Sequence, residues 1–340
     1  MRALTSLILL AVCAKVMSAQ NATNSTRPAM YPLSTDPQFS FNLAEFMALT
    51  YGGGAATGEI LRAATQVVAG DFESYYREFK FLADSIHKVG VSTKYPISRR
   101  DAFFRSATYY RAADFFLHGN WSDPRINALW ESQLADYDAA IALLPVAGER
   151  FTVHSDGFDT ISIFYAAQPR GDGSCAPERR PTLLVGSGYD GAQEEVYHAL
   201  GRQVLDRGWN FATDVDTNRI ALQGMSYGGT LAPRAATREP RLAAVIAIDG
   251  LIDFQSALIQ QLGPDLQKLY QSGNKTAFDY VMNGVRTNTS MPSAVRWYID
   301  QGLWAFNTHS PFDWVTGLGK IVLTQDIVAN ISCPVFVGCG

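Results

Sequence analysis

The spacing of hydrophobic and polar positions changes once along the chain. Over residues 42–144 apolar residues recur every three to four positions, with no strand-like alternation. Residues 105–118, RSATYYRAADFFLH, place Tyr109, Ala112, Ala113 and Phe116 at helical spacing, and residues 130–144 repeat the pattern, which predicts a series of helices. Gly52 to Gly54 and Ser122-Asp123-Pro124 read as breaks between them. Near Gly148 the period falls to two. Residues 151–154 and 160–165 read as paired strands, and the second alternates as TISIFY. Short apolar runs at 182–185, 220–223, 243–248 and 335–337 have the character of buried parallel strands. A further strand is expected at 209–212 and a helix over 194–207. Strand and helix in alternation predict a doubly wound, mostly parallel α/β sheet. The helical stretch 258–314, rich in Trp, Tyr and Gln, reads as an insertion over the carboxyl edge of that sheet.

The N-terminus adds an address. Arg2, the apolar run from Leu4 to Val12 and the small residues around Ser18 and Ala19 match a secretory signal peptide cleaved near Ala19. The organisation expected is therefore a signal peptide at 1–19, a helical domain at 20–146, an α/β core at 147–254 and 318–340, and a helical cap at 255–317. Six of the twelve asparagines head glycosylation sequons: Asn21, Asn24, Asn120, Asn274, Asn288 and Asn330. Asn330, next to an expected buried strand, is the one placed least well for a glycan. Secretion as a glycoprotein is the expectation. Loss of Arg2 and Lys15 with the signal takes the formal charge from −4 to −6, and no Lys/Arg block remains, so nucleic acid and anionic membrane are poor partners. No stretch is long enough to span a bilayer. Cys175, Cys333 and Cys339 allow at most one bridge within the chain and form no zinc motif. Neither metal nor cofactor is called for, and a homodimer is compatible with this reading.

One motif carries chemistry. Gly224-Met225-Ser226-Tyr227-Gly228 is a G-x-S-x-G, preceded by the strand-like Arg219-Ile220-Ala221-Leu222-Gln223 and followed by the helix-like Gly229-Thr230-Leu231-Ala232. Strand, sharp turn and helix form a nucleophile elbow, in which glycines relieve crowding so that a serine can project its hydroxyl. Ser226 is the expected nucleophile. The oxyanion donors expected are the main-chain N–H of Tyr227 and, from the Gly-rich turn 186–191, that of Tyr189. Glu194 and Glu195 suit a helix start, and Asp190 suits a local hydrogen bond that holds the turn.

Gly188-Tyr189-Asp190-Gly191 with Glu194-Glu195, the run from Gly224 to Gly229, Leu231-Ala-Pro-Arg-Ala-Ala with Glu239-Pro-Arg-Leu-Ala, and Cys333-Pro-Val-Phe-Val together resemble the fungal α/β-hydrolases of secondary metabolism and the related dihydropseudooxynicotine hydrolase. The resemblance runs from about Arg105 onward. It implies an α/β-hydrolase fold, a Ser-Asp-His triad, and hydrolysis of a carbonyl compound of polyketide type, with a hydrophobic small molecule as partner.

Two departures accompany the resemblance. In similar proteins the triad acid follows the strand corresponding to 335–337 and the histidine lies further on, whereas this sequence stops at Gly340, so both are expected to be missing. The surrogates on offer are Asp249, after the strand that follows the elbow, and His309, within the cap. Asp253 reads as a helix cap. Only Thr213 to Asn218 separate two strands expected to be parallel, too few for a crossover helix, which suggests an internal deletion. The function expected is a serine hydrolase cleaving an ester, lactone or carbon–carbon bond. The alternatives are an inactive secreted product with a binding role, and a peptidase or esterase of the prolyl-oligopeptidase type.

Overall fold

The computed structural model describes residues 31–155, 157–168, 180–212 and 220–338. The signal segment, Asn21, Asn24, Cys175 and Cys339 lie outside the described residues.

Five helices come first: α1 (Pro37–Ala48), α2 (Thr57–Ala64), α3 (Phe72–Ser92), α4 (Pro96–Asp114) and α5 (Pro124–Ile141). Their ends follow from the sequence. Asp36, Asp71 and Asp123 cap the first-turn amides of α1, α3 and α5, and proline occupies the first turn of α1, α4 and α5, where its missing N–H has no partner to lose. The break at Gly52 to Gly54 is a 3-10 turn closed by Gly53 at φ 84°. From Phe103 to Asp114 every residue of α4 but Arg105 is buried. A helix enclosed on all sides has no polar stripe. It is wrapped by α3 and α5, and Phe104 stacks on Tyr197 of the sheet layer with ring centroids 5.3 Å apart.

The sheet has seven strands: β1 (Glu149–Ser155), β2 (Phe158–Tyr165), β3 (Thr182–Gly186), β4 (Asn210–Ala212), β5 (Ile220–Met225), β6 (Leu242–Ile248) and β7 (Val335–Gly338), in the spatial order β1-β2-β4-β3-β5-β6-β7. The first two form the expected antiparallel hairpin, β2 pairs antiparallel with β4, and the pairs from β4 through β7 are parallel. Between β3 and β4, α6 (Gln193–Val196) runs through a π-helical turn at Tyr197–Gly201 into α7 (Arg202–Asp206). After β5 comes α8 (Tyr227–Ala236). One face of the sheet buries Ile163, Leu183, Val185 and Phe211 with Phe104, Tyr137 and Tyr197, and the other buries Ile220, Leu242 and Val245 against Ala232 and Ala236.

Between β6 and β7 lie α9 (Phe254–Gln261), α10 (Pro264–Gln271), α11 (Lys275–Thr287), α12 (Ser293–Ala305), α13 (Pro311–Leu318) and the short α14 (Gln325–Val328). The first five share a core around Trp314, Phe278 and Leu266. This cap touches the first helices directly: Ser293 Oγ donates to Asp36 at 2.6 Å, and Trp297 stacks on Phe115 at 5.2 Å.

Two expectations change. The last strand was expected to be buried, yet Val335, Phe336 and Val337 are 40%, 62% and 65% exposed. Among the described residues it is the edge strand, paired on one side with β6, and a short apolar run reads alike at the edge and the centre of a sheet. Asn330 is accordingly exposed. The strands β4 and β5 are both parallel to β3 and flank it, as expected, but β4 has only three residues. Ala212 aligns with Leu184 and Ile220 with Thr182, so their separation is about 12 Å, two strand spacings across and two residues back. β3 lies between them, and the seven intervening positions are fewer than the dozen or so that a parallel crossover takes. Residues 213–219 themselves lie outside the described residues.

Phe104 ties α4 to the sheet layer. Phe104→Ala is expected to cost about 3–5 kcal/mol of stability, read as a lower urea midpoint with an unchanged m-value.

Candidate active site

Ser226 sits between β5 and α8 with φ 53° and ψ −120°. A non-glycine residue in the left-handed region is strained, and the surroundings account for its persistence. The Ser226 N–H donates to Ile248 O at 2.9 Å, and its carbonyl accepts from the Gly229 N–H at 2.8 Å. A Cβ on Gly224 would overlap the Gly228 carbonyl, one on Gly228 would overlap the Ser187 carbonyl, and one on Gly229 would come 2.7 Å from Ile248 O. Three glycines of the motif thus let β5, β3 and β6 close around a single turn. Tyr227 opens α8, so its amide has no intrahelical acceptor and joins the positive end of the helix dipole behind Ser226.

The turn after β3 lies against this elbow. A Cβ on Gly188 would be 3.1 Å from the Ser226 Cβ, so the turn runs in tight contact with the nucleophile. Beyond it, the Tyr189 ring packs near Tyr227, Phe254 and Tyr298, and its hydroxyl donates to Tyr298 O at 3.2 Å. Both expected oxyanion residues therefore flank Ser226, one on each side of the turn.

Ser226 opens into a cavity of about 240 Å³ lined by Phe46, Leu49, Phe115, Val196 and Met225 and by three carboxyl groups, Glu45, Asp190 and Glu195. Glu45, from α1, was not anticipated from the sequence. Its side chain is exposed where it lines the cavity, with protein filling much of the volume around it. Burial, reinforced by the charges of Asp190 and Glu195, pushes it up to about 8 from its ordinary 4.5. Burial also raises Asp190 and Glu195, and the Arg111 guanidinium opposes the rise in both. Glu195 accepts from the Ala192 N–H at 2.7 Å, the helix-start role expected of it, and Glu194 is paired with Arg150 at 2.9 Å.

The remaining candidates lie elsewhere. Asp249 follows β6 at φ 53°, its N–H donating to Gly338 O at 2.9 Å, and Asp253 caps α9 through the Ser256 N–H. The His309 ring packs on Trp121 at 4.2 Å. Neither Asp249 nor His309 is among the residues lining the Ser226 cavity, and among the described residues no histidine lines it. Asn120 and Asn274 are exposed, and Asn288 is half-buried.

The strand order, the parallel core and the elbow define an α/β-hydrolase fold. The 2,6-dihydroxy-pseudo-oxynicotine hydrolase structure superposes with a TM-score of 0.61 at 17% identity, covering 85% of this chain and 79% of that one. The AbyA5 structure gives 0.59 at 14% identity, with 89% and 79% covered. No family model matches the chain. In sequence it is similar to fungal secondary-metabolite hydrolases. It is 25% identical to the 20-hydroxy-prefusarin hydrolase FUS2 of Gibberella moniliformis, over 91% of this chain and 83% of the relative. It is 25% identical to the hydrolase acrC of Aspergillus aculeatus, over 88% and 81%, and 24% identical to the alpha/beta hydrolase psoB of Aspergillus fumigatus, over 91% and 80%. The FUS2 alignment runs over 354 positions, while 91% of the 340-residue chain is about 309 residues, so about 45 positions face a gap in this chain.

A carboxyl raised in the folded state binds its proton more tightly there than in the unfolded chain, so Glu45 lowers stability progressively as pH rises from about 4.5 to about 8. Glu45→Gln removes that burden. Its melting temperature should match the parent near pH 4.5 and exceed it increasingly up to pH 8, measured by calorimetry across that range.

Proposed function

We propose that this protein is a serine-nucleophile hydrolase that cleaves an ester, lactone or carbon–carbon bond next to a carbonyl of a polyketide-like secondary metabolite. The observation that carries this reading is the strained Ser226 at the mouth of a closed-in cavity, with a glycine-bounded turn on one side and a helix start on the other. In this reaction Ser226 Oγ bonds to the carbonyl carbon and the oxygen takes negative charge facing the Tyr189 and Tyr227 amides. The leaving group departs with a proton, and water then releases the acyl group. The cavity lining supports a neutral substrate. Phe46, Leu49 and Phe115 supply apolar surface, and Glu45 in its protonated form donates a hydrogen bond to a ketone or hydroxyl oxygen. The similarity to hydrolases of fungal secondary metabolism points to the same substrate class.

A second reading, a binding protein without turnover, is favoured by one observation: the absence of histidine from the described cavity lining. Labelling separates the two. A fluorophosphonate probe should modify the parent and leave Ser226→Ala unlabelled; a parent that stays unlabelled while binding a neutral polyketide would establish the second reading.

We also infer passage through the secretory pathway from the signal-like N-terminus and the sequons. The exposed positions of Asn120, Asn274 and Asn330 support it. Expressed in a secreting yeast, the protein should appear in the medium, and endoglycosidase should reduce its mass in steps.

A further inference from the structure

The turn that carries Tyr189 is gripped from outside the sheet. Two successive carbonyls of that turn accept hydrogen bonds from buried side chains on different parts of the molecule. Arg111 Nη2, on α4, donates to Asp190 O, and Gln301 Nε2, on α12, donates to Tyr189 O at 3.2 Å. Both residues are at least 96% buried. Each is in turn held by a partner. Asp114 Oδ2 pairs with Arg111 Nη1 at 3.1 Å and lies 3.1 Å from His118 Nε2, while His118 Nδ1 lies 2.7 Å from Gln301 Oε1.

A flipped Gln301 amide would set its oxygen against the Tyr189 carbonyl, so its oxygen must face His118, whose Nδ1 donates to it. The ring lies flat on Trp304, with centroids 4.7 Å apart and planes at 4°, which fixes its orientation. Other charges packed around this corner are Asp300 on α12, which is bound by Arg286 of α11 at 2.8 Å, and Arg296 of α12. Arg286 also reaches Gly119 O at 3.3 Å, a second tie between the end of α4 and the cap.

We propose that Gln301, oriented by His118, and Arg111, oriented by Asp114, are positioning residues that clamp the Tyr189–Asp190 turn so that its amide faces the oxygen of the substrate carbonyl at Ser226. The clamp deepens the hydrolase reading and rests on it for its catalytic meaning. Its structural content stands alone: the turn is fixed by the helical domain and the cap acting together, one carbonyl each.

The test uses Gln301→Met, which keeps the side-chain length and removes the amide, and His118→Asn, which keeps a donor close to the Nδ1 position. Two quantities are read, the second-order rate of fluorophosphonate modification of Ser226 and amide hydrogen exchange across residues 187–191. Loss of one oxyanion donor costs about 10²–10³-fold in other enzymes. Loosening a donor in place should slow modification by about 10- to 100-fold in Gln301→Met, with faster exchange confined to the turn and a melting temperature close to the parent's. His118→Asn should retain most of the parental rate. Parental exchange in the turn of Gln301→Met overturns the clamp whatever the reactivity of Ser226. A parent that never labels, with faster exchange in the variant, removes the hydrolase reading and leaves the clamp standing.

Discussion

The backbone of Ser226 is the constraint around which the sheet is arranged. A serine at φ 53° costs about 1–3 kcal/mol, and it is retained because three strands leave no alternative path. β6 accepts the Ser226 N–H, while side chains on Gly224 or Gly228 would overlap the Gly228 carbonyl of α8 and the Ser187 carbonyl just after β3. The turn is over-determined by its neighbours. Its hydroxyl therefore sits at a fixed point at the carboxyl end of the strands, the edge at which open α/β sheets place their ligands.

Around that point the molecule is built in three pieces that share their interfaces. Aromatic packing continues from α1 and α3 through Phe115 to Trp297 of the cap, and from the cap through Tyr298 to Tyr189 of the sheet. Polar contacts follow the same route: Asp36 with Ser293 at one end, Arg111 and Gln301 against the 189–190 turn at the other. The cavity is consequently a joint product. Its floor comes from the sheet, and Glu45, Phe46 and Leu49 of the first helices make its wall.

The local parts of this architecture were legible in the sequence, and the joint parts were not. The elbow could be read because its requirement is local: glycines at fixed offsets from a serine, after an apolar strand. The break at Ser122-Asp123-Pro124 could be read for the same reason, since Asp123 caps α5 and a proline opens it. The depth of α4 could not, because Tyr109, Ala112 and Ala113 mark one helical face and give no sign that the opposite face is covered too. Glu45 carried no motif. Its raised affinity for protons arises from burial in the folded chain, reinforced by carboxyl groups about 145 positions or more away. His118 was visible only as one of five histidines, and Gln301 as one residue of a Gln-rich stretch, since what defines them is a shared hydrogen bond across 183 positions. The exposure of β7 escaped because hydrophobicity alone does not say whether a strand has a second neighbour.

Gln301 belongs to the segment between β6 and β7, which lines none of the Ser226 cavity yet reaches the turn beside it. In most accounts of such folds, insertions diversify freely because the reacting groups stay with the sheet. Here that separation fails. A different cap grafted onto this core would leave the cavity walls in place and would take away the donor to the Tyr189 carbonyl. The lining of the cavity and the hold on its rim come from different segments, and only caps that offer an amide at the same place can be exchanged without loosening the turn beneath.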